Sequence, residues 1–87
     1  TKNLARELST YNIRVNAISA GPVKTMSAKG VKNFSDILYA VEEKAPLKRN
    51  ITLDDLGKSA VYLLSDLSSG MTGEILYIDA GYNIMGI

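Results

Sequence analysis

Leu4, Ala5 and Leu8 recur at the three-and-four spacing of a helix while Lys2, Arg6 and Glu7 take the other side, so residues 1–9 are predicted to be an amphipathic helix, the end of a longer one. Tyr11-Asn12 supplies a turn, and over residues 13–20 (I-R-V-N-A-I-S-A) the pattern switches to alternation with β-branched side chains at apolar positions, which predicts a strand. Gly21-Pro22 ends it, since proline has no amide hydrogen for a ladder. Residues 23–32 read as a polar loop. Asn33 or Ser35 then caps a helix through Lys44, with Phe34, Ile37, Leu38 and Val41 on its apolar side and Pro46 beyond its end. Thr52 followed by Asp55 has the spacing of a capping box. The helix it opens carries Leu53, Leu56, Ala60, Leu63, Leu64 and Leu67 on one stripe and is expected to end near Gly70. Thr72-Gly73 leads into Ile75-Leu76-Tyr77-Ile78, an apolar run suited to a strand buried on both faces, closed by Ala80-Gly81.

The order helix, strand, loop, helix, helix, strand has long crossovers, and long crossovers favour a parallel sheet in an α/β layer fold. Two strands make no stable parallel sheet, and no internal repeat supplies more, so further strands are expected on either side.

The chain has 87 residues, within the span of one small domain or part of a larger one. Its 46% hydrophobic and 22% charged content can build a core and is not that of a disordered tail. Cysteine, histidine and tryptophan are absent, which excludes disulfides, thiol nucleophiles, Cys/His metal sites and a histidine general base within these residues. A net charge of +1 points to neither nucleic acid nor a membrane surface. Lys24, Asp36, Lys44, Lys58 and Asp66 interrupt every apolar run long before the ~18 residues a span requires. The first residues have neither an initiator methionine nor the design of a signal peptide, so a missing start and a soluble, cytoplasmic location are expected. Charge is uneven: residues 1–35 hold six basic side chains and one acidic, residues 36–87 four basic and eight acidic. Lys24, Lys29 and Lys32 flank the loop after the first strand. Ligands of open parallel sheets bind at strand carboxyl ends, so this loop is where an anionic ligand would sit. Charge alone favours the plainer reading, an ordinary solvated face.

Residues 13–25 read I-R-V-N-A-I-S-A-G-P-V-K-T. With Ala45-Pro46-Leu47-Lys48-Arg49 and Asp79-Ala80-Gly81-Tyr82 following in order, the chain resembles bacterial enoyl-acyl carrier protein reductase, a branch of the short-chain dehydrogenase/reductase superfamily. The likeness is collinear over nearly the whole chain. It implies that residues 1–87 are the carboxyl-terminal portion of a single Rossmann-like domain, contributing the last two strands of a doubly wound parallel sheet with flanking helices and a substrate-binding loop at about 23–44. It also implies NADH as cofactor, with NADPH compatible, an enoyl substrate linked to acyl carrier protein, and a homotetramer.

On that resemblance Val23, Lys24, Thr25, Met26 and Ser27 wrap the nicotinamide and pyrophosphate: the Val23 backbone can pair with a carboxamide and the Thr25 hydroxyl can donate to a phosphate oxygen. Taken alone, Thr25 reads more simply as a turn-forming hydroxyl. Val31, Phe34 and Ile37 would face the acyl chain, against the plainer reading of helix-face core. Of the basic patch with which the family docks the carrier protein, only Lys32 has a counterpart, with Ser35 and Asp36 at neighbouring places.

The family's catalytic pair is a tyrosine with a lysine seven residues later, and the wider superfamily uses a spacing of four. Tyr11, Tyr39, Tyr62, Tyr77 and Tyr82 meet no lysine at either distance. The pair is therefore expected upstream of Thr1, and these residues alone are expected to be inactive. Two alternatives stand beside this reading. A 3-oxoacyl reductase of the superfamily typically lacks the Ser-Ala-Gly-Pro turn and the Asp-Ala-Gly-Tyr ending; a noncatalytic nucleotide-binding or assembly module would lack the upstream pair.

Overall fold

The computed structural model describes residues 1–23 and 33–85. Five regular elements run in the expected order: α1 (Lys2–Leu8), β1 (Ala17–Ala20), α2 (Phe34–Lys44), α3 (Leu53–Leu64) and β2 (Ile75–Ile78). The strands pair in parallel, Ala17 opposite Ile75 through Ala20 opposite Ile78. The α/β class and the parallel pairing are as predicted.

β1 is half the predicted length, because Ile13 N bonds back to Leu8 O and residues 14–16 are held mainly by side-chain bonds to residues 63–74. Arg14 donates to the carbonyls of Leu63, Ser65, Ser68 and Met71. The Val15 N–H donates to the Thr72 hydroxyl, and the Asn16 amide both donates to Met71 O and accepts from Glu74 N. One backbone bond, Gly73 N to Val15 O at 2.8 Å, lies among them, and the regular ladder starts at Ala17.

α3 starts as the capping box predicts: Asp55 N donates to Thr52 Oγ1 at 3.1 Å and Thr52 N to Asp55 Oδ2 at 2.8 Å. It ends at Leu64, earlier than expected, since the Ser65 hydroxyl accepts from Leu67 N and opens a separate 3₁₀ turn, Asp66–Ser68. The predicted stripe is accordingly split. Leu56, Ala60 and Leu63 turn inward, whereas Leu53, Leu64 and Leu67 are exposed, Leu64 at 87%. At α2, Asn33 occupies the cap position in a left-handed conformation with no side-chain cap bond, and Ser35 lies inside the helix.

Among the described residues the enclosed apolar ones are few: Ala5 on the inner side of α1, and a cluster of Val41, Ala45, Ile51 and Ala80, joined by Val23, Leu56, Ile78 and Tyr82. This cluster lies where α2, the 45–51 connection and the end of β2 meet. β2 was expected to be buried on both faces, but here Ile75 and Tyr77 are exposed, the latter at 54%, while Leu76 and Ile78 are half-buried. Among the described residues, the face of β2 that carries Ile75 and Tyr77 is thus left largely uncovered. None of the described helices is long and apolar enough to cross a membrane.

Candidate functional site

The two strands end side by side, and their exits form the site. β1 leaves through Gly21, whose N–H donates to Ile78 O at 3.0 Å, so the chain crosses the end of β2 at close range. A Cβ on Gly21 would lie 3.1 Å from Asp79 Cβ and 3.3 Å from its Cα, closer than side chains ordinarily pack, and this is why glycine stands there. Pro22 and Val23 follow, half-buried, with Val23 packed on the central cluster. Residues 19–23 therefore make a shelf with no charged side chain and none larger than valine, on which Ser19 and Ala20 stand exposed.

β2 leaves through Asp79, which is buried and accepts from Gly81 N, Asn83 N and Asn83 Nδ2 at 3.0 to 3.1 Å. Sequence reasoning singled out this stretch as a signature without giving the carboxylate a role. The turn it builds leads into the 3₁₀ turn Tyr82–Met85, which meets α2.

α2 is anchored at its carboxyl end. Ala45 is wholly enclosed, and Asn50 Nδ2 donates to Leu38 O at 2.9 Å. At its start the helix is open: Phe34 is half-buried and Ile37 is 46% exposed, so neither is consumed by the core. Of the sequence-predicted site residues the structure thus places Val23 on the shelf and Phe34 and Ile37 on α2. Lys24, Thr25, Met26, Ser27 and Val31 lie outside the described residues.

A hollow of about 410 Å³ opens beside the end of β2, lined among others by Leu47, Arg49, Asp55, Lys58 and Tyr77. Its cations are already neutralised. Arg49 bonds Asp55 at 2.9 Å and Lys58 bonds Asp54 at 2.8 Å. The guanidinium of Arg49, then the Thr52 N–H, lower the Asp55 carboxyl from 3.8 to about 2, and hydrogen bonds to their carboxylates raise Arg49 and Lys58. Among the described residues this hollow thus offers an anion no unpaired cation, and the shelf, which has no charged side chain, suits an uncharged group instead.

An α/β unit with parallel strands and a small-residue shelf at their carboxyl ends belongs to the class that binds ligands at that edge. The chain matches the family described as Enoyl-(Acyl carrier protein) reductase over residues 1–83, and it belongs to that family. It is 60% identical over 82 residues to the enoyl-(acyl-carrier-protein) reductase (NADPH) FabI of Staphylococcus aureus, covering 94% of this chain and 32% of the relative. To the corresponding (NADH) FabI of Bacillus cereus it is 54% identical over 85 residues, covering 98% and 33%. The crystal structure of the Bacillus cereus enoyl-acyl carrier protein reductase with NADP+ and indole naphthyridinone superposes with a TM-score of 0.91 at 53% identity, covering 99% of this chain and 34% of that one. FabI from Candidatus Liberibacter asiaticus gives 0.90 at 53% identity, covering 100% and 34%. The chain spans about a third of the length of the curated relatives it matches.

Proposed function

We propose that this chain forms the carboxyl-terminal part of a Rossmann-like, doubly wound reductase domain whose parent reduces trans-2-enoyl thioesters, carried on acyl carrier protein, with NADH or NADPH in fatty acid biosynthesis. The family match over residues 1–83, collinear with the shelf and the turn that frame the strand exits, carries this reading. The nicotinamide cofactor, when bound, supplies the hydride that saturates the double bond.

The described residues fit such a group. A flat, uncharged ring needs a surface without bulk or charge, and residues 19–23 provide one. Pro22 has no N–H, so a carboxamide would find its backbone partner at Val23. Thr25 would donate its hydroxyl to a phosphate oxygen, with Lys24, Met26 and Ser27 completing the wrap. Val31, Phe34 and Ile37 would cover the acyl chain and keep water from the reacting carbons. The tyrosine that stabilises the enolate and the lysine that holds the ribose belong upstream of Thr1, so residues 1–87 alone are inactive in this reading.

Assembly follows from the uncovered apolar surface. Leu53, Val61 and Leu64 on α3 and Ile75 and Tyr77 on β2 are exposed, and Gly57 between them leaves open space for a close neighbour. Such area supports packing against further copies; the family resemblance implies a homotetramer, and the same reading places it in the cytoplasm.

The test is the full-length parent supplied with NADH or NADPH and a crotonyl thioester. Oxidation of the cofactor is expected; no turnover over a series of acyl lengths overturns the reading. Light scattering of the parent is expected to give a tetramer, and a monomer at micromolar concentration would contradict the assembly.

A further inference from the structure

Among the described residues Asp79 is the one buried carboxylate, and the chemistry proposed above makes no use of it. A carboxylate is buried at a cost unless donors surround it. Here Gly81 N donates to Oδ1 at 3.0 Å, Asn83 N to Oδ2 at 3.0 Å and Asn83 Nδ2 to Oδ1 at 3.1 Å. These bonds close a turn in which Ala80 (φ 58°) and Gly81 (φ 89°) are both left-handed, a conformation alanine disfavours. The carboxylate therefore holds the turn against local preference.

Three contacts carry that geometry outward. Gly21 passes within contact of Asp79 itself, so the shelf rests on this residue. The Ala80 carbonyl accepts from Leu47 N at 3.2 Å, and the Ala80 side chain is enclosed with Val41 and Ala45 of α2 and its exit, against which Val23 also packs. Gly81 lies against the ring of Pro46. One turn thus meets both the segment that enters the cofactor loop and the base of the helix that faces the acyl chain.

We infer that Asp79 is a positioning residue, whose carboxylate sets the placement of the 21–23 shelf relative to α2. This rests on the reductase reading and adds to it a single group that holds both ligand-contacting segments. Contacts from a shelf and a helix face are made in the ground state and the transition state alike, so loosening them raises KM for both ligands and leaves kcat nearly unchanged.

The experiment uses Asp79→Ala and Asn83→Ala in the full-length reductase, with steady-state kinetics against NADH and crotonyl thioester and hydrogen exchange on the ligand-free protein. Asp79→Ala is expected to raise both KM values about tenfold, the worth of one charge-assisted hydrogen bond, with kcat within about threefold. Asn83→Ala, a change at an exposed residue that removes one of the three bonds, is expected to raise both by about two- to threefold. Amides within residues 21–23 and 45–48 should exchange faster in both variants. Wild-type KM values in a variant with a lowered melting temperature, or a rise in one KM alone, overturn the inference. If Asp79→Ala does not fold, Asn83→Ala decides by the same outcomes. A wild-type parent that reduces no enoyl thioester sinks the reductase reading, while exchange still judges the coupling: protection lost at one segment only, or at neither, overturns it.

Discussion

The guanidinium of Arg14 donates to the Ser68 carbonyl at 2.7 Å and to its hydroxyl at 3.0 Å. With the bonds to Leu63, Ser65 and Met71, one planar cation gathers four carbonyls from the end of α3 and the turn after it. An ammonium is a point charge and cannot reproduce that fork. Arg14→Lys in the full-length protein is expected to lose about 2 kcal/mol, the scale of hydrogen bonds to a charged group. Thermal unfolding reads this directly; a lysine variant that melts with the wild type would show that the fork contributes nothing.

Asp55 closes the capping box and pairs with Arg49, and its carboxyl is lowered from 3.8 to about 2 by that guanidinium and the Thr52 N–H. A carboxyl depressed in the folded state binds its proton more readily once unfolded, so it contributes stability above the unfolded value and loses it as pH falls through the folded one. The window is pH 4 to 2. Stability followed from pH 5 to 2 should fall less steeply for Asp55→Asn than for the wild type. Parallel curves would remove Asp55 from the acid response.

Gly81 has a φ of 89°, and a Cβ there would come 2.9 Å from Pro46 Cγ. Both backbone and packing oppose a side chain, so Gly81→Ala is expected to cost about 2 to 4 kcal/mol, strain plus overpacking. Chemical denaturation measures it. A loss below the cost of an ordinary surface change would mean that the turn and Pro46 yield freely.

Thr25 is proposed to give its hydroxyl to a cofactor phosphate, and Thr25→Val keeps the shape while removing the donor. The KM for cofactor is expected to rise about tenfold with the thioester KM unchanged, the worth of one hydrogen bond to a charged oxygen. An unaltered cofactor KM assigns the hydroxyl to its own backbone turn.

What could be read from the sequence was what neighbours decide. The capping box needs only Thr52 and Asp55, three positions apart, and it formed as predicted. The Gly21-Pro22 exit from β1 was likewise legible, since glycine and proline act through their own backbone. The shortening of β1 was not. It depends on Arg14 finding Ser68 and Asn16 finding Glu74, partners more than fifty positions away that no periodicity encodes. The apolar run of Ile75-Leu76-Tyr77-Ile78 suited a strand covered on both faces, but coverage belongs to whatever lies opposite, and among the described residues Tyr77 is left 54% exposed. The role of Asp79 was missed for another reason: its partners are local, yet an aspartate two residues before a glycine reads equally well as an ordinary turn.

The parallel register also governs when the fold can close. Ala17 pairs with Ile75, and among the described residues no nearer strand pairs with β1. At a synthesis rate of about 5–20 residues per second, β1 waits on the order of 3 to 12 s after it is made before β2 exists. Until then the edge that β2 covers stays unpaired, and contacts this distant in sequence are slow to form. Nascent chains halted before residue 75 should therefore be the ones most readily captured by chaperones.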